Sequence, residues 1–406
     1  MKIINDPVYA GFLTIEDDII FEVLSHPYFQ RQRRIKQLGF TYLVYPGAMH
    51  TRFSHMLGAL NLMNRALEVL QSKGVVLTRD EVLGARLAIL LHDIGHGPFS
   101  HTSERMLADM HHETCSRLFM ERLNETFSGR LTTAIDIFED RYPKHFLHQL
   151  VSSQLDMDRL DYLGRDSFFT GVSEGIVGTD RIINMLNVRN DELVIDEKGI
   201  YSVEKFIISR RLMYWQVYLH KTVIAADVLL LGILRRAREL AAKGVSLGIE
   251  ALPLGDFLTH HYTEQDFLHC PELLDRFALI DDSDIDCAIK GWLQHPDFIL
   301  RTLSDHLLNR HLGAIRVAQQ PFDPQVIDTL HTQAQLLYNI TPAESDYFVG
   351  TGILHNHAYD YNDREIRVLF KDGTCRDIGE ASDQLDRHFL EKQVTKYYLY
   401  FPKELR

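Results

Sequence analysis

At 406 residues and 45% hydrophobic content the chain can bury a large core, and 24% charged with 10% aromatic residues is ordinary for a globular protein. Its net charge of −13 argues against a general nucleic-acid coat, because phosphate backbones recruit net-basic surfaces. No apolar run approaches the roughly 18–20 residues of a membrane span, and the M-K-I-I-N-D-P start lacks the apolar stretch of a secretory leader. A cytoplasmic protein without membrane attachment is expected. Cys115, Cys270, Cys287 and Cys375 are scattered and form no C-x-x-C pair, which reads as free thiols.

Residues 1–20 predict a short strand or hairpin leading into a helix. From Phe21 to about Leu240 apolar residues recur at three- and four-residue steps, the helical period. Leu57, Leu60, Met63, Leu67 and Leu70 make one stripe following His55. Leu83, Leu87, Leu90 and Leu91 make another that runs into His92-Asp93, where Gly95, Gly97 and Pro98 stop the helix. Leu193 to Tyr201 alternates around a Lys-Gly turn and predicts a hairpin. Phe206 to Leu240 is again helical, and residues 250–335 read as further helices punctuated by prolines. Near the end, Ile366 to Phe370 with Asp372-Gly373 predicts another hairpin, and Tyr397 to Phe401 a last strand. The expected fold is mostly α: a helical catalytic core over 1–325 and a small α+β subdomain over 326–406.

Seven of the 21 histidines fall between positions 50 and 112: His50, His55, His92, His96, His101, His111 and His112. Singly, each reads as a half-buried core histidine. The pair His92-Asp93 reads differently, because a carboxylate closing an apolar helix is costly unless paired or metal-bound. Imidazoles and carboxylates from separate elements (His55, His92, Asp93 and Asp158) suit one divalent ion, Mn, Fe, Mg or Zn, rather than a thiolate-loving metal. Such an ion would promote attack of water on phosphorus. The other parts needed are imidazoles for proton transfer, from His96, His101 and His112, and a cationic clamp, from Arg31, Arg33, Arg34, Lys36 and Arg52. Glu104, one turn past His101, is placed to orient that ring.

These residues lie in six ordered runs spanning positions 29 to 221. They are F-Q-R-Q-R-R-I-K-Q-L-G (Phe29 to Gly39), V-Y-P-G-A-M-H-T-R-F-S-H (Val44 to His55), L-L-H-D-I-G-H-G-P-F-S-H ending at His101, and His112-Glu113. L-D-M-D-R-L-D-Y-L-G-R-D-S (Leu155 to Ser167) and R-R-L-M-Y-W-Q-V-Y-L-H-K (Arg210 to Lys221) complete the set. In this order they resemble the HD-domain phosphohydrolase superfamily, and within it the dNTP triphosphohydrolase branch typified by the HD domain of the SAM- and HD-domain dNTP triphosphohydrolases.

The resemblance implies metal ligation by His55, His92, Asp93 and Asp158. It implies that His101 is the general acid, assisted by Glu104, with His96 and His112 near the phosphates. Arg52, Arg159 and Arg210 would meet the phosphate chain, and Gln37, Leu38, Tyr162, Asp166 and Tyr218 the sugar and base. Arg159 stands where that branch has lysine, a fork in place of a point charge. Ser25 stands where guanine-responsive relatives carry aspartate, and a hydroxyl cannot accept the paired bonds of a guanine edge, so no GTP activation is implied.

The expected activity is hydrolysis of dNTPs, dGTP among them, to deoxynucleoside and triphosphate, by a homo-oligomer. Two alternatives stand beside it: an HD-type phosphomonoesterase or phosphodiesterase for another nucleotide, and a nucleotide-responsive binding module.

Overall fold

Three helices that carry the site motifs pack side by side, and the local sequence explains where each begins. The computed structural model describes residues 2–9, 11–356, 359, 365–385, 390–391 and 393–405, the side chains of His101 and Arg105 excepted. The first motif helix, Arg52–Ser72, starts from a capping box in which Thr51 and Ser54 satisfy each other's backbone amides. Its stripe from Leu57 to Leu70 is buried as the periodicity requires. The second, Arg79–Leu91, starts from the Thr78–Glu81 box and ends at Leu91, so His92 and Asp93 sit just past its last turn. The third, Met157–Thr170, is capped by Asp156, whose carboxylate accepts from the Arg159 amide at 2.6 Å, and closes on Gly171 at φ +75°.

The first motif helix packs between the other two. At Gly58 it meets the third so closely that a Cβ would overlap the side chains of Asp161 and Arg165. That contact fixes how His55 meets Asp158. Gly95 does the same beyond the second helix, where any side chain would strike the backbone of the His112–Thr126 helix at His112 and Ser116. His96 and His112 are thereby brought together.

The fold is mostly α with small sheets, as expected. The N-terminal hairpin pairs Lys2–Asp6 with Gly11–Ile15 and leads into the helix Asp18–Ser25. The hairpin expected over Leu193 to Tyr201 forms earlier. Its strands are Leu186–Arg189 and Glu192–Asp196, and the turn is Asn190-Asp191, both at positive φ. Two such residues make the tight turn whose twist matches paired strands, whereas Lys198-Gly199 falls in a 3-10 turn entering the helix Ile200–Met213. The helical stretch beyond Phe206 is broken: Tyr214–Tyr218 winds as a π-helical turn before the helix Lys221–Ala242.

Arg367–Leu369 and Cys375–Asp377 form the hairpin expected near the end, and Val394–Phe401 the last strand. Among the strands not expected are Ala314–Ala318 and Gly350–Asn356, which flank Val394–Phe401 antiparallel on its two sides. Arg367–Leu369 also pairs in parallel with Glu192–Asp196, so the C-terminal strands share sheets with residues from before 326. Among the described residues no single helix is long and apolar enough to cross a membrane.

Candidate metal centre and substrate cleft

His55, His92, Asp93 and Asp158 converge. Ligand atoms of His55, His92 and Asp158 lie within 4.8 Å of one another. His55 Nε2 is 3.0 Å and His92 Nε2 3.3 Å from the same Asp158 oxygen, and each ring is 3.6 Å from Asp93. The Asp158 carboxylate is the most open of the four.

The other ring nitrogens decide what these atoms can do. His92 Nδ1 sits 2.7 Å from the Ile89 carbonyl, which can only accept, so that nitrogen carries the proton. His55 Nδ1 sits 2.7 Å from the Asp161 carboxylate, with the same consequence. Both Nε2 atoms then present lone pairs to carboxylate oxygens, and neither makes a hydrogen bond although both are buried. Lone pairs facing carboxylates are repulsive unless positive charge lies between them. Two ligands at right angles around an ion with bonds of ~2.1 Å are themselves ~3.0 Å apart, so the spacing suits a small divalent cation. The donor set fits the metal.

Electrostatics agree. Without an ion a proton supplies that charge. Burial alone would depress the His55 pKa, but the Asp158 and Asp161 carboxylates beside its two nitrogens outweigh it and hold it up to about 10. A bound cation takes the place of the Nε2 proton. Burial would raise Asp93 and Asp158, yet the surrounding imidazoles, with Arg52 beside Asp93, hold both carboxyls well below their usual range. The cluster is built around positive charge.

A second layer orients this one and was not legible in the motifs. Asp161 is fully buried and accepts from Tyr9 Oη at 2.6 Å and from Arg165 Nε at 2.8 Å, besides facing His55. Arg165, also fully buried, reaches back to Asp6 at 2.6 Å. Asp161 lies three residues after Asp158, one helical turn along the same face. The signal was a charged residue set between Leu160 and Leu163 in a core helix.

Arg52 donates from Nε to Ser100 Oγ at 3.0 Å and from a terminal nitrogen to Asp93. His96 lies 3.3 Å from the other Asp93 oxygen and stacks on His112, ring centroids 4.0 Å apart. Burial and the nearby Arg52 charge push the His96 pKa well below the usual imidazole value, so the ring is neutral. Asp93, His96 and His112 form a second close group of ligand-type atoms that shares Asp93 with the first. Glu104 engages His112, accepting from its backbone amide at 2.6 Å and lying 3.0 Å from its ring. His101 is on the adjoining 3-10 turn Ser100–Thr102, and its side chain lies outside the described residues.

The third motif helix carries further site candidates away from this centre. Asp158, Tyr162 and Asp166 recur every fourth residue and span ~12 Å of axis. Asp166 is held between His50 Nε2 at 2.8 Å and the Tyr218 hydroxyl at 2.7 Å, and the Tyr162 and Tyr218 rings meet edge to face. His50 was not singled out in the motifs. Gln37 Oε1 and Arg210 Nε are buried without a hydrogen-bond partner among the described residues. Leu38 is half-buried beside Gln37. Arg159 is instead tied to its own helix cap, its Nε 3.2 Å from Asp156. Ser25 is exposed, with its hydroxyl donating to the Phe21 carbonyl.

Residues 52–160, which contain all four converging side chains, match the HD domain, and 177–245 match the HD associated region. A solved phosphohydrolase from Bacteroides thetaiotaomicron is 48% identical with a TM-score of 0.94, over 98% of this chain and 99% of that one. The chain belongs to the HD-domain phosphohydrolase family.

The chain is similar to further proteins. YwfO, an uncharacterized protein of Bacillus subtilis, is 30% identical over 418 residues, 100% of this chain and 93% of that protein. The deoxynucleoside triphosphate triphosphohydrolase SAMHD1 homolog of Dictyostelium discoideum is 30% identical over 240 residues. That match takes in 54% of this chain and 46% of the relative, so the chain spans about half the relative's length.

Proposed function

We propose that this HD-domain protein hydrolyses dNTPs, dGTP among them, to deoxynucleoside and triphosphate, using one divalent ion. The observation that carries the reading is the continuous face from Asp158 through Tyr162 to the Asp166–Tyr218 pair. Phosphate hydrolysis alone needs the first end of that face. A wall of phenols and a buried carboxylate a helix-length beyond it has the chemistry of a sugar and base subsite. The relatives named as dNTP triphosphohydrolases support the same reading.

His55, His92, Asp93 and Asp158 would hold the ion, which supplies Lewis acidity and favours water as nucleophile when bound. Arg52 and Arg210 bind phosphate oxygens, Arg210 through the Nε that has no hydrogen-bond partner among the described residues. His96, neutral and with Nε2 turned to Asp93, lies near the phosphates, and Glu104 holds His112 in place beside it. Water adds to the α-phosphorus, the bond from phosphorus to the 5′-oxygen breaks, and His101 protonates the departing oxygen. Tyr218, fixed by Asp166, faces the sugar, while Gln37, Leu38 and Tyr162 complete that end and Arg159 adds positive charge near the phosphates. The protein works in the cytoplasm as a homo-oligomer.

The test is a dNTP panel with added Mn or Mg, with products separated by anion exchange. Tripolyphosphate with free deoxynucleoside is expected. Orthophosphate or pyrophosphate as first product would overturn the reading in favour of a phosphomonoesterase or phosphodiesterase.

A further inference from the structure

The C-terminal sheet reaches the wall of the cleft from behind. Lys396, on the strand Val394–Phe401, places Nζ 3.6 Å from the centroid of the Trp215 ring. Asn356, buried at the end of the neighbouring strand Gly350–Asn356, donates its amide to the Arg211 carbonyl at 3.3 Å. Both targets belong to one stretch of chain. Arg211 follows Arg210 near the end of the helix Ile200–Met213, and Trp215 lies in the π-turn Tyr214–Tyr218.

That stretch also carries Arg210 and Tyr218, which the proposed function sets against the nucleotide. Tyr218 bonds Asp166, Tyr214 meets the Tyr218 ring edge to face at 5.1 Å, and the Arg210 guanidinium lies 5.9 Å from the Tyr214 ring. A π-turn is a rare winding, found mostly as single turns at functional sites, and it needs its surroundings to hold it. Here the helical body supplies two ties. Tyr45 donates to the Gln216 carbonyl at 2.9 Å, and the Gln216 amide donates to Glu174 at 3.1 Å. The C-terminal sheet supplies two more.

We propose that the C-terminal sheet is a positioning element of the substrate cleft, acting through Lys396 on Trp215 and Asn356 on Arg211. These contacts fix the winding of the π-turn so that Arg210, Tyr214 and Tyr218 present to one nucleotide together. Lys396 touches an indole face and no cleft group, so it is a positioning residue. The inference rests on the cleft being a nucleotide site.

The experiment uses the full-length, metal-loaded protein, titrated with a non-hydrolysable dGTP (a methylene in place of the 5′-oxygen) so that nothing is turned over, while tryptophan emission is followed. The chain has two tryptophans, and the other, Trp292, is buried with its indole donating to the Leu247 carbonyl. Trp215→Phe therefore identifies which part of the signal comes from the π-turn. In wild type, the analogue should change Trp215 emission. Lys396→Met keeps the stem and deletes the charge. It should shift the ligand-free Trp215 emission and weaken analogue binding about 2- to 30-fold, the range a cation–π contact covers in an equilibrium. Lys396→Arg, which also stacks on indole, should restore both, a rescue that a general loss of stability would not show. Asn356→Ala should weaken binding in the same direction.

Wild-type affinity and unmoved Trp215 emission in Lys396→Met would overturn the proposal while leaving the nucleotide site intact. Absence of analogue binding to wild type would overturn the nucleotide reading and this inference with it.

Discussion

Replacing Asp161 with asparagine tests whether the layer behind the metal centre does what its geometry requires. The carboxylate is fully buried and serves three partners at once: Tyr9 at 2.6 Å, His55 Nδ1 at 2.7 Å and Arg165 at 2.8 Å. Asparagine keeps the volume but has one acceptor oxygen and no charge. One Asp161 oxygen accepts from both His55 and Arg165 Nε, and the other from Tyr9 and a second Arg165 nitrogen. The amide oxygen replaces only one of them and its NH2 must face donors, so His55 keeps at best a neutral acceptor in place of the charge that fixes its tautomer. Loss of such a carboxylate behind a ligating histidine lowers metal affinity about 10- to 100-fold, or about 1.4–2.7 kcal/mol. Breaking a buried ion pair from one side costs about 3–5 kcal/mol of stability. Asp6 still neutralises Arg165 at 2.6 Å, so the lower end of that range is expected here. Chelator-competition titrations of Mn or Zn measure the affinity, and denaturant unfolding of the metal-free protein measures the stability. Asp161→Asn that folds, yet binds the ion as tightly as wild type, would refute the argument.

Three further outcomes follow from separate features. Burial raises the Asp227 carboxyl to about 7, with the Thr102 hydroxyl, 2.8 Å away, pulling the other way. Because this folded-state pKa lies above the unfolded value, the group costs nothing below about pH 4, and the fold loses roughly 4 kcal/mol as pH climbs from about 4 to about 7, with no further loss above. Asp227→Asn should therefore gain stability over wild type between pH 5 and pH 8 in denaturant unfolding; a constant difference would contradict this. Gly58→Ala should lower the melting temperature sharply, because the new methyl overlaps Asp161 and Arg165, at a cost of about 1–3 kcal/mol or more by the overpacking scale. Unchanged melting would show that the first and third motif helices are less closely packed than described. Tyr218→Phe deletes one hydroxyl bond to Asp166 and should raise KM for a dNTP several-fold with little change in metal content; an unchanged KM would remove Tyr218 from the sugar subsite.

What the sequence made legible, and what it hid, follows from where each interaction is encoded. His55, His92, Asp93 and Asp158 stand out because imidazoles and carboxylates interrupt apolar helical runs, where the burial cost demands a reason. Their supports do not stand out, because their pairing exists only in the fold: Asp6 meets Arg165 across 159 positions, and His50 meets Asp166 across 116. The strand Gly350–Asn356 is diluted by two glycines, and Gly352 is required there because the Tyr398 ring of the paired strand lies over it. The misplaced hairpin reflects turn chemistry, since Asn190-Asp191 adopts the left-handed conformation more often credited to glycine. Helices were read from period, which is local, while the sheet that backs the π-turn depends on residues far apart along the chain.

The central claim is that four side chains from three separate stretches of chain hold one cation. Metal analysis of the purified protein, alongside His92→Ala and Asp158→Ala variants dialysed against the same Mn or Zn, tests it directly. Wild type should retain one ion per chain, and each variant should lose it while keeping its helical circular dichroism. Folded variants that keep a full equivalent of metal would contradict the account.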